Sequence, residues 1–465
     1  MPAVILVLWI SKHSRKAEKD CMMRIFILSV FAVASVILSG MACADEAVVE
    51  TECDIFTLLP PENGSGPLWS YGCTQVARLG DDVFVSIMET GEGVPLLSNT
   101  RWRLMRISGG EQKIVAEADG YRQREPASLA AVPPDHLFMY VNDSQEAPGV
   151  KYGHCRPHLL SFSGEKYLQK ALYPKWGKKH HFTDHSYRGY AADAASGHLL
   201  MLNIDATTSV QNACLMNSKG KTLATGSIVF PVRACYPQVA VCGKAVQVLA
   251  VGDIVEPVDA WREYKFEQTK QQWDYVFRRL FLVGTPDLSR ENFGVVLEID
   301  SVDDTGGHIT NQDLWVSPEG EAWVLYSRRE VQNELMRDKF FPDRSVIDSM
   351  WLVRVRNGEI THKELLVEGT EESRPTQARF QETPDGALHV ILYLTGADAG
   401  NKALRVFPET KERVVLPLPL QEPLPSFCLA NTRSGNAPSY MVDFYGTPGN
   451  NRFRYAGVRL PQSEK

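Results

Sequence analysis

The sequence predicts a seven-bladed, all-β propeller on three observations. A strand–turn–strand unit recurs every roughly 45 to 70 residues, each unit holds four strand-sized segments, and a spare N-terminal strand is available to complete the last blade. Six copies of the unit are plain: Gln75 to Leu79 with Val83 to Met88, Ser128 to Val132 with His136 to Val141, Tyr190 to Ala194 with His198 to Ile204, Gln238 to Cys242 with Ala245 to Val251, Asp313 to Val316 with Ala322 to Tyr326, and Thr376 to Phe380 with Ala387 to Leu394. Gly80-Asp81-Asp82, Pro133-Pro134-Asp135 and Thr383-Pro384-Asp385-Gly386 supply the turn chemistry between paired strands.

Each unit extends to a blade. Blade one spans Ser70 to Glu117, blade two Glu125 to Tyr173, blade three Tyr187 to Phe230, blade four Cys235 to Ile299, blade five His308 to Glu368 and blade six Pro375 to Leu418. The C-terminal stretch yields only three strands, within Phe427 to Asn431, Tyr440 to Phe444 and Phe453 to Val458. A three-stranded blade would leave an open edge at the seam. Ala47 to Leu59, with Val48, Val49, Ile55 and Phe56, is the expected fourth strand. Six blades with a terminal appendage is the alternative. Insertions at Trp261 to Arg279 and Glu330 to Arg344 both fall between the second and third strands of their blades, so they elaborate one face of the ring.

A net charge of -7, with no basic run, argues against nucleic acid as a partner. Arg24, the apolar run Ile25 to Leu38 and the small residues ending in Ala42-Cys43-Ala44 read as a secretory signal peptide, so residues 1–44 form a leader and 45–465 a single propeller domain. Met22 or Met23 is the expected true start. The apolar run is too short for a comfortable bilayer span, so the mature chain is expected to be secreted or periplasmic, monomeric and without a membrane anchor. Of nine cysteines, Cys21 and Cys43 leave with the leader. The remaining seven are scattered without a disulfide spacing and read mainly as buried thiols. No zinc pattern is present, and no cofactor is expected, although scattered Asp and Asn near the first strands could take Ca²⁺.

In a propeller the segments leading into the first strands converge on one mouth, together with the loops between second and third strands. Those segments carry Arg124 and Glu125, His185, Tyr187 and Arg188, Tyr236, Asp313 and Arg374; the loops and the first insertion add Arg101, Glu256 and Arg262. Arg101, Arg124, Arg188, Tyr236, Arg262, Asp313 and Arg374 are the candidate substrate-binding residues, because guanidinium forks suit carboxylate or sulfate oxygens. Tyr187, His185, Glu125 and Glu256 are the candidate catalytic ones. Tyr187 beside His185 and Arg188 has the parts of a β-elimination site for a uronic acid, in which a cation neutralises the carboxylate before the α-proton is removed. A tyrosine activated by Glu125 or Glu256 has instead the parts of a glycosyl-tyrosine mechanism.

The segments Asn99 to Ile107, Arg124-Glu125-Pro126, His185-Ser186-Tyr187-Arg188, Tyr236-Pro237, Asp253-Ile254-Val255-Glu256-Pro257, Ala260-Trp261-Arg262-Glu263-Tyr264-Lys265, Trp273-Asp274-Tyr275 and Asp313-Leu314-Trp315 resemble secreted bacterial β-propeller proteins loosely grouped with the BNR-repeat, sialidase-like superfamily. That resemblance covers most of the mature chain and implies the fold and export. The S-x-D-x-G-x-x-W box of sialidases is absent; Ser317-Pro318-Glu319-Gly320-Glu321-Ala322-Trp323 is its nearest approach. The expected function is an exported propeller that binds, and as a sialidase-like hydrolase or a uronate lyase cleaves, an acidic oligo- or polysaccharide. A non-catalytic glycan-binding or protein-interaction propeller is the alternative.

Overall fold

Alternation along most strands is replaced by continuous burial. In His136–Ser144 every residue from Leu137 to Asn142 is buried, because neighbouring blades cover both faces of the sheet. The structure, a computed structural model, describes residues 46–69, 72–164, 167–409 and 413–462; the predicted leader and its two methionine starts lie outside them.

Seven four-stranded antiparallel sheets form the ring. Going round it, the inner strands are Val76–Leu79, Ser128–Val132, Gly189–Asp193, Ala234–Cys242, His308–Val316, Ser373–Glu382 and Ser426–Leu429. Blade seven is closed as the sequence predicts. Val48–Thr57 pairs antiparallel with Arg452–Arg459, so the outermost strand comes from the N-terminus and the inner three from the C-terminus. The core is divided accordingly into seven apolar clusters, each made where adjacent blades meet. Ala77, Phe84 and Leu104 of blade one, for example, pack on Leu129, Met139 and Phe162 of blade two. The last cluster joins Phe453 and Tyr455 of blade seven to Val76 and Val85 of blade one, which seals the ring.

The two insertions carry the α-helices of the described chain, α1 (Asp259–Thr269) and α2 (Glu334–Phe340). They meet through Trp261 and Tyr264 against Phe340 and Phe341. Asn333 caps α2 by accepting from the Met336 N–H at 3.0 Å. The sequence does not announce a further feature of the first insertion, a two-stranded ladder of Ile254–Val255 with Tyr275–Val276. All seven described cysteines are free thiols, five of them buried. Among the described residues no helix is long and apolar enough to cross a membrane.

Candidate active site at the mouth of the ring

The central channel is closed from the far side by the loop Asn431-Thr432-Arg433-Ser434-Gly435-Asn436, which connects the first two strands of blade seven. Its backbone and side chains bond to inner strands all round the ring. Asn436 accepts from the Arg78 N–H of blade one, Ser434 O from the Ala131 N–H of blade two, and Arg433 O from the Ala192 N–H of blade three. The Arg433 guanidinium then reaches Val239 O of blade four at 3.2 Å and Asp313 Oδ1 of blade five at 2.7 Å. Gly435 sits at φ 80° with Ala131 O where a Cβ would stand, so the plug needs glycine for conformation and for space.

On the near face, the segment after Val48–Thr57 crosses from the rim to the axis. Asn63 Nδ2 donates to Asn99 Oδ1 and to Arg124 O, while Arg124 Nε donates back to Asn63 O at 3.0 Å. The segment ends in Trp69, whose ring packs on His185 of blade three and Tyr236 of blade four. Further ring contacts run from His185 to Tyr187, from Tyr187 to Tyr236, from Tyr236 to Phe277 and from Phe277 to His308. Tyr187 and Tyr236, at matching positions of successive blades, both lie in the left-handed region at φ 38° and 48°. Such conformations cost of order 1–3 kcal/mol and persist where the surroundings enforce them, commonly at functional sites.

A cavity of about 390 Å³ opens beside this aromatic group, lined by Tyr152, His181, His185, Asp205 and Arg233 among others. Arg233 stands 5.0 Å from the centre of the Tyr187 ring and is paired at 3.4 Å with the buried Asp253. Behind the cavity lies Glu125. Its carboxylate faces His185 Nδ1 at 3.4 Å and accepts from Ser186 N–H at 3.1 Å and Ser186 O–H at 2.7 Å; Arg188 Nε lies 3.5 Å away. Burial alone would raise the Glu125 carboxyl, but the His185 hydrogen bond, the Arg188 charge and Ser186 outweigh it and hold it down to about 2. Glu125 is therefore an acceptor only, and it draws Nδ1–H of His185 toward itself, leaving Nε2 with its lone pair. Burial raises both the Tyr187 and the Tyr236 phenols well above the ordinary value, so each stays a proton donor at neutral pH. His308 is pushed down to about 4 by burial and by Arg329 and Arg278.

Of the residues expected at the mouth, the structure brings together Glu125, His185, Tyr187, Arg188 and Tyr236, with Arg124 joined to them through the crossing segment. Arg188 is buried beneath the site, donating to Pro126 O at 2.7 Å and Tyr140 O at 3.3 Å, so its guanidinium is spent on the junction between blades two and three. Five others sit elsewhere. Arg101 pairs with Glu89 and Glu117 within blade one, and Arg262 with Asp259 on α1. Glu256 is buried between Lys265 and Arg278 as the anchor of the first insertion. Asp313 is the plug's partner in the channel, and Arg374 lies exposed with its nearest hydrogen bond to Thr370 O. Trp69 and Arg233 are the residues that the sequence did not single out. Arg233 stands three residues before Tyr236 and could have been found from that placement; Trp69 depends on the route of the crossing segment, which has no periodicity to read.

No protein-family model matches the chain, and no curated protein is similar to it in sequence. Solved structures are similar in fold. The polysaccharide lyase Uly1 superposes with a TM-score of 0.55 at 10% identity, covering 89% of this chain and 100% of that one. An ulvan lyase of polysaccharide lyase family 25 gives 0.53 at 9% identity, covering 89% and 96%. The same type of enzyme bound to a -[GlcA(1-4)Rha3S]- saccharide gives 0.52 at 9% identity with the same coverage. At such identities the likeness establishes the β-propeller architecture.

Proposed function

We propose that this chain binds an acidic polysaccharide across the mouth of the ring and cleaves it by β-elimination. The observation that carries the reading is a cavity lined by His185 and Arg233, with Glu125 buried behind His185 and the Tyr187 ring packed against both lining residues. The structural neighbours are polysaccharide lyases, which agrees with it, as does the uronate in the saccharide bound to one of them. Arg233 binds the uronate carboxylate and stabilises the charge that develops there. Nε2 of His185 takes the proton on the carbon next to that carboxylate. The electron pair left behind forms the carbon–carbon double bond and expels the glycosidic oxygen, which takes the Tyr187 proton. The products are an unsaturated uronate end and a free hydroxyl end, and solvent restores the two protonation states. No cofactor is invoked in this sequence of steps.

Hydrolysis by a carboxylate pair would need two free carboxyl groups flanking the bond. Here Glu125 is engaged by Ser186 and His185, and Asp253 by Arg233. A sialidase-like tyrosine nucleophile is disfavoured in the same way, because burial keeps the Tyr187 phenol protonated. Export through the leader and a monomeric ring in which every blade has its four strands complete the reading.

The test is incubation with uronate-containing polysaccharides, followed by the ultraviolet absorbance of the conjugated double bond. Absorbance that appears with the native protein and is lost in His185→Gln supports it. New reducing ends without that absorbance would establish hydrolysis instead.

A further inference from the structure

The two-stranded ladder in the blade-four insertion separates its residues into two chemically different faces. Glu256 and Asp274 point inward, where both bind the Lys265 ammonium, at 2.7 and 2.9 Å. Val276 on the same face is buried. The alternate residues point the other way: Val255 is 43% exposed, its cross-strand partner Tyr275 37%, and Trp273, two residues before Tyr275, 74%. An indole this exposed forgoes the burial that makes tryptophan valuable in a core, and the salt-bridged inward face holds the ladder rigid beneath it.

This apolar shelf adjoins the cavity. The Arg233 guanidinium lies 5.8 Å from the Tyr275 ring centre and 5.0 Å from that of Tyr187, so one cation links the two surfaces. A sugar held with its carboxylate on Arg233 would have Tyr275 beside it, and Trp273 lies two residues further along the chain. Pyranose rings offer a flat face of C–H groups that stacks on aromatic rings, and their equatorial hydroxyls remain in water.

Resting on the lyase reading above, we propose that Trp273 and Tyr275 form an extended saccharide subsite, so that the ligand is a polymer of several residues rather than a mono- or disaccharide. Arg233 selects the charged unit, while the shelf recognises ring faces and tolerates variation in substituents.

The experiment measures binding of size-fractionated di-, tetra- and hexasaccharides of a glucuronate-containing polysaccharide to the native protein, Trp273→Ala and Arg233→Ala, by calorimetry and by tryptophan fluorescence. The native protein should bind the hexasaccharide best. In Trp273→Ala that advantage should fall roughly tenfold, with disaccharide binding unchanged and the hexasaccharide-induced fluorescence change reduced to that of the disaccharide. Arg233→Ala should weaken all lengths together. If Trp273→Ala keeps the native length dependence, the subsite is refuted while the site at Arg233 stands. If the native protein binds no length, the lyase reading fails and the subsite with it. Trp273 is too exposed for its truncation to unfold the ring, and an unchanged melting temperature verifies this.

Discussion

Glu125 and His185 meet at 3.4 Å across the junction of blades two and three, and this contact determines which imidazole nitrogen faces the cavity. An acceptor-only carboxylate behind Nδ1 holds the proton of the neutral ring on that nitrogen and leaves the lone pair on Nε2, whereas an amide in its place could donate to Nδ1 and reverse the tautomer. Glu125→Gln should therefore lower kcat by ~10²-fold or more with little change in KM. Steady-state kinetics on a uronate polymer checks this.

The same carboxylate contributes to acid stability. Its value is held down to about 2 in the folded chain against an ordinary 4.5, so the stabilisation is complete above 4.5 and is lost as the pH falls toward 2. Acid titration by circular dichroism should show native protein resisting a fall in pH through this window better than Glu125→Gln.

Tyr187→Phe should keep the fold and lose activity by ~10²- to 10⁴-fold, the usual contribution of a positioned acid. Because burial raises this phenol above its ordinary 10.0, any alkaline decline in rate below that pH belongs to another group. The pH–rate profile of the native protein reads this directly.

Three arginines should separate by role. Arg188→Ala leaves Glu125 buried with one cation fewer and two carbonyls without their donor, so it should destabilise by about 3–5 kcal/mol. Arg374→Ala, at an exposed position, should stay within about 0.5 kcal/mol. Arg233→Ala should melt nearer to native than Arg188→Ala yet bind carboxylated saccharides of every length more weakly. Differential scanning calorimetry and a binding isotherm distinguish all three.

How much of this was legible in the sequence depended on whether a feature repeats. A tight turn like Gly80-Asp81-Asp82 and the apolar strand after it recur in six blades, so the ring and even the N-terminal closing strand could be read. Convergence of the lead-in segments likewise placed His185, Tyr187 and Tyr236 together. What a given arginine does could not be read. Arg188 and Arg374 occupy similar lead-in positions, but the first meets Tyr140 and Pro126 of the neighbouring blade and the second meets solvent. That difference is decided by the partner blade, hundreds of atoms of packing that leave no local pattern. Asp313 escaped for the same reason, since its partner Arg433 lies 120 residues away.

Removing Val48–Thr57 should expose the free edge of Arg452–Arg459 and produce an aggregating or strand-exchanged species. Size-exclusion chromatography of the truncated chain beside the native one checks this, and added synthetic peptide of the missing strand should restore the native elution.

The plug at Arg433–Asn436 makes the mouth a blind pit. A polymer cannot be drawn through the ring from one side to the other, and no tunnel encloses it. On the lyase reading, a chain held over Tyr275 and Trp273 lies across the rim, so the bond cut is an internal one and the two fragments part company after a single event. Viscosity of a polymeric substrate should then collapse early, long before small products accumulate, and the fragments should begin broad in size and narrow with time.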